Sequence, residues 1–82
     1  GHPVRDYQSL AESITLYMSR AAEKLRKQQS YAGSVYVYIR TSPFRDRDPF
    51  YSNGLTVPLS TPTNDTMQLV NVALWILKRL YK

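Results

Sequence analysis

Residues 34–60, SVYVYIRTSPFRDRDPFYSNGLTVPLS, hold two alternating runs on either side of a segment rich in proline, aspartate and arginine. In the first run Val35, Val37 and Ile39 alternate with Tyr36, Tyr38 and Arg40. Successive side chains of a strand point to opposite faces, so this run is a ribbon with an aliphatic side and an aromatic, basic side. In the second run Leu55, Val57 and Leu59 alternate with Thr56, Pro58 and Ser60. The two aliphatic sides fit one core, and the two polar sides fit one outer surface. Between the runs, Pro43 and Pro49 lack a ladder donor and stop the pairing. The alternating Arg45-Asp46-Arg47-Asp48 reads as a solvated tip, and Phe44, Phe50 and Tyr51 as aromatics that fold it back onto the body. Asn53-Gly54 is a turn signal, here opening the second strand.

On the N-terminal side, Ser9 and Glu12 form an S-x-x-E capping box, which predicts a helix starting near Ser9. Leu10, Ile14, Tyr17, Met18, Ala21 and Leu25 recur at three- and four-residue steps and build its apolar stripe. Lys24, Arg26 and Lys27 lie in its last turns, where the macrodipole favours cations; the alternative role for them is a flank that touches phosphates. Gly33 gives the chain freedom to turn into the first strand. On the C-terminal side, residues 60–64, STPTN, break the second strand, and Asp65 caps a second helix with Gln68 three residues on. Leu69, Val70, Val72, Ala73, Ile76, Leu77 and Leu80 give that helix a wider apolar arc than the first, with Trp75 and Leu74 adding bulk near its other side. The predicted order is helix, strand, strand, helix, an α+β arrangement with an antiparallel sheet. Two strands alone are marginal in water, and the second helix is more apolar than two strands can cover, so a further element is expected against it.

The chain has 82 residues, enough for one small domain that buries roughly 60–65% of its unfolded surface. It has no cysteine, so no disulfide or thiolate ligand is available, which fits an intracellular protein. No apolar run approaches the roughly 20 residues that span a bilayer. Eleven Lys and Arg against six Asp and Glu give a net charge of +5. A domain this basic often meets a polyanion, and seven tyrosines among basic groups tilt that expectation toward nucleic acid; the plainer alternative is solubility. Converging catalytic groups are missing. The one histidine, His2, sits near a terminus, the six acids are scattered, and three glycines do not make a phosphate-cradling loop. The chain by itself therefore reads as non-catalytic and without a cofactor.

The runs SRAAEKLRKQQSY (19–31), YIRTSPF (38–44) and LSTPTND (59–65), in that order, resemble the little-finger domain of the UmuC family, Y-family translesion DNA polymerases of the bacterial SOS response. The likeness covers nearly the whole of residues 1–82. It implies a β-α-β-β-α-β domain with two helices on one face of an antiparallel sheet, of which this chain is the α-β-β-α part, beginning after the first strand and ending before the last. It also implies that the free sheet face grips the primer-template backbone in the major groove. On that face the expected contacts are Tyr36, Tyr38, Arg40, Thr56 and Ser60, whose hydroxyls and guanidinium suit phosphate oxygens. The resemblance implies a parent nucleotidyltransferase whose magnesium belongs to an absent palm domain, working in the cytoplasm near the nucleoid with UmuD′, RecA and a sliding clamp. The alternative is a protein-interaction module that docks UmuD′ or RecA-like partners. A missing first strand would leave the edge from Leu55 to Leu59 open, so pairing with a second copy into a two-fold dimer is expected.

Overall fold

A computed structural model describes residues 7–41 and 51–81 of the chain. The order is α1 (Tyr7–Lys27), β1 (Ala32–Thr41), β2 (Tyr51–Thr63) and α2 (Thr66–Leu80). β1 and β2 pair antiparallel. This is the α-β-β-α arrangement that the alternation and helical spacing predict. The expectations for Pro43, Phe44, Arg45, Asp46, Arg47, Asp48, Pro49 and Phe50 fall outside the described residues.

The register sets Val35 opposite Val57, Val37 opposite Leu55 and Tyr36 opposite Thr56. The aliphatic set therefore lies on one side. Val35, Val37 and Ile39 are buried, and Leu55, Val57 and Leu59 are half-buried against the same cluster. α2 completes the cluster with Leu69, Ala73, Ile76, Leu77 and Leu80. Burying each such Val, Leu or Ile contributes on the order of 1.5–3 kcal/mol over leaving it in water. α2 packs against both strands, and α1 packs against α2. Trp75 stays 47% exposed, with the Arg79 guanidinium 3.6 Å above its ring.

Both strand boundaries of β2 differ from the expectation. Asn53 and Gly54 are not a turn: they lie inside the strand, paired with Ile39 and Tyr38. The Asn53 side chain serves the local backbone, its Oδ1 accepting the Gly54 N–H at 2.9 Å. At the other end the strand runs to Thr63, but the register jumps from Ser34–Pro58 to Ala32–Thr63, so residues 59–62 lie opposite Gly33 alone. The STPTN run thus bulges the strand and does not end it. Asp65 caps α2 as predicted, its carboxylate accepting the Gln68 N–H at 3.0 Å.

α1 begins at Tyr7, so Ser9 sits within its first turn and is not the cap. Tertiary contact supplies the extra residues: the Tyr7 ring meets Tyr81, beyond α2, edge to face at 5.6 Å. Glu12 instead accepts from the Gln8 side chain at 3.1 Å. The buried line on α1 is also rotated from the predicted stripe. Leu10, Ile14, Met18 and Leu25 pack against the core, but Tyr17 is 64% exposed and Ala21 exposed, while Ala22 is wholly buried. Alanine on each helix, Ala22 and Ala73, lets the two backbones approach where a larger side chain would hold them apart. The helix ends in a Schellman turn. Gln29 takes the left-handed conformation with φ 56°, Ser30 N–H bonds Leu25 O at 2.8 Å, and Gln29 N–H bonds Arg26 O at 3.1 Å. Gln29 makes the turn that Gly33 was expected to make, and Gly33 has no positive φ.

Candidate nucleic-acid interface

The polar side of the ribbon faces away from the helices. Tyr36, Tyr38, Arg40 and Thr56 are all exposed on it. The pairing places Tyr36 opposite Thr56, Tyr38 opposite Gly54 and Arg40 opposite Ser52. Four of the five predicted site residues are therefore neighbours on one paired ladder. Ser60 is not among them. It falls in the bulged stretch and lines a groove with Leu59, Gln68, Asn71 and Val72, at the flank between β2 and α2.

Gly54 is the residue of this face that the sequence reading missed. A Cβ there would meet Tyr36 Oη at 2.8 Å, Tyr38 Cδ1 at 3.1 Å and Tyr36 Cε1 at 3.2 Å. Both rings converge on the space that the absent side chain leaves. The signal in the sequence was a glycine at an outward position of an alternating strand, which marks a close approach.

The basic groups at the end of α1 divide. Arg26 donates from Nη1 to Asn64 O at 2.9 Å and to Thr66 Oγ1 at 3.0 Å, so it ties the end of α1 to the start of α2. Asn64 Nδ2 donates back to Ser30 O at 3.3 Å. The idea of Arg26 as a phosphate-touching flank gives way to this brace. Lys24 and Lys27 are exposed. At the other side of the sheet, Val57, Asn71, Val72 and Trp75 line a largely apolar groove. Among the described residues no three His, Cys, Asp or Glu side chains cluster as metal ligands, and no helix is long and apolar enough to cross a membrane.

The chain is thus a small α+β domain whose one open sheet face carries tyrosine, threonine and arginine over an aliphatic core. Residues 1–82 match the impB/mucB/samB family C-terminal domain, and the chain belongs to that family. It is 35% identical over all 82 residues to Protein UmuC of Salmonella typhimurium and 33% identical over 82 residues to Protein ImpB of the same organism, covering 19% of each. Over 73 residues, 89% of this chain and 17% of the relative, it is 36% identical to Protein MucB of Escherichia coli. The chain thus spans about one-fifth of the length of the curated relatives it matches. No solved structure matches it.

Proposed function

We propose that this domain grips the sugar-phosphate backbone of a primer-template duplex, in the major groove, for a Y-family error-prone polymerase acting in SOS lesion bypass. One observation carries the reading. Tyr36, Tyr38, Thr56 and Arg40 stand together on the exposed face, while the alternate residues Val35, Val37 and Ile39 are buried. Such groups position a duplex through its phosphates without reading sequence, which suits a polymerase that must hold damaged templates. In this reading nucleotidyl transfer, and the magnesium it uses, belong to another part of the parent protein, which works with UmuD′, RecA and a sliding clamp. The test is anisotropy titration of labelled duplexes with the full-length protein that carries this domain. Arg40→Gln weakens binding to all sequences alike and flattens the plot of log K against log salt by about 0.9. An unchanged slope, or a loss confined to one sequence, refutes it.

A second reading, pairing with another copy of this chain, is favoured by the outer edge of β2. Among the described residues β2 pairs only with β1, and the groove of Val57, Val72 and Trp75 continues the core past that edge. The edge is poor in donors. Alternate residues direct their N–H to opposite edges. Pro58 has no N–H, and that of Gly54 is held by the Asn53 side chain at 2.9 Å. With those two donors unavailable, a two-fold pair through this stretch is weak.

A further inference from the structure

Tyr36 and Tyr38 are large aromatics of the exposed face, and the structure shows how Tyr36 lies and where Tyr38 approaches it. Strand side chains ordinarily stand roughly perpendicular to the sheet, which would carry a tyrosine hydroxyl far out into solvent. Tyr36 does otherwise. It pairs with Thr56, yet its Oη lies 2.8 Å from where the Cβ of Gly54 would be, one bond above the strand and two residues along β2. The ring therefore runs diagonally across the ladder with its long axis close to the plane of the sheet, and its hydroxyl is turned down into the Gly54 gap. Tyr38, directly opposite Gly54, comes within 3.1 Å of the same point through Cδ1. With 60% and 51% of these residues exposed, both side chains are open to solvent, and the Tyr36 hydroxyl is the one turned toward the sheet.

We infer that Tyr36 and Tyr38 form a shelf on which unpaired bases of a single-stranded nucleic acid stack. The inference rests on the nucleic-acid reading of this face and deepens it: the same surface that grips duplex phosphates holds an adjoining unpaired segment. Every base has a π face, so stacking tolerates any sequence, as a lesion-tolerant domain requires. Charge decides between this ligand and an apolar protein surface. The chain carries +5, and Arg40 lies on the same face two residues beyond Tyr38, where a strand stacked on the rings would place its phosphates. Gly54 is what makes the shelf, since any side chain there lifts the Tyr36 ring.

The experiment titrates the full-length protein carrying this domain with three labelled probes at low salt: single-stranded oligo-dT, a strand of equal length with a central abasic run, and a duplex. Tyr36→Leu and Tyr38→Leu each weaken oligo-dT binding by roughly tenfold, whereas Tyr36→Phe and Tyr38→Phe stay within about twofold. The abasic strand binds the unaltered protein about as weakly as oligo-dT binds the leucine variants. Equal binding of the abasic strand and oligo-dT overturns the shelf and needs no variant to fold. Phenylalanine variants as weak as leucine ones also overturn it, because the hydroxyls then make the contact. In either case an Arg40-dependent duplex salt slope leaves the gripping reading standing. Loss of that slope while bases still distinguish the single strands removes the duplex grip and leaves the shelf.

Discussion

Replacing Gly54 by alanine separates the fold from the surface it presents. The new Cβ would stand 2.8 Å from Tyr36 Oη, closer than nonbonded atoms tolerate, and in tight contact with Tyr38 Cδ1 at 3.1 Å and Tyr36 Cε1 at 3.2 Å. The atom in the way is the far end of a side chain that is 60% exposed, so the ring swings outward and the backbone stays. The backbone accepts alanine, because Gly54 has no positive φ. Removing a glycine from a strand interior contributes about 0.5–1 kcal/mol by restricting the unfolded chain. Loss of the Tyr36 cross-strand contact offsets this by about 0.2–1 kcal/mol. The two largely cancel, so the midpoint of unfolding moves by no more than about 6 °C, given roughly 4–8 °C per kcal/mol for a domain of this size. Binding of single-stranded oligo-dT falls several-fold, because the ring no longer lies along the sheet. Thermal unfolding by circular dichroism and anisotropy on the same preparation measure both. A stability loss above about 2 kcal/mol would show that the backbone, not the ring, yields. An unchanged midpoint with unchanged oligo-dT affinity would show that the lie of Tyr36 has nothing to do with binding.

Two further outcomes follow from contacts elsewhere. Arg26→Met removes both bonds from Nη1 to Asn64 and Thr66, and after allowance for its exposed position it lowers stability by about 1 kcal/mol. Duplex affinity is unchanged, so a drop in affinity at constant melting temperature would restore Arg26 to the binding surface. Self-pairing through β2 gives a dimer of the 82-residue chain with a dissociation constant on the order of tens of micromolar, because Pro58 has no N–H and that of Gly54 is already held by Asn53. Sedimentation velocity across that concentration range measures it; a strictly monomeric chain at several times that concentration ends the dimer reading.

The sequence by itself determined which residues of the ribbon face inward. Strict alternation of Val35, Val37 and Ile39 with Tyr36, Tyr38 and Arg40 settles the inward face, since a slip by one residue would put every aliphatic group in water. It also determined the cap of α2, because Asp65 needs only the backbone N–H three residues on. Only tertiary structure decided the rest. α1 starts before its capping box because Tyr7 finds Tyr81 across the fold, and it turns Ala22 inward because α2 packs against that side. Asn53-Gly54 is a turn signal only while its neighbours are unpaired; opposite Ile39 and Tyr38 it becomes strand. The lie of Tyr36 over Gly54 joins two strands whose register no local pattern states, so a hydroxyl that alternation sends outward is turned toward the sheet.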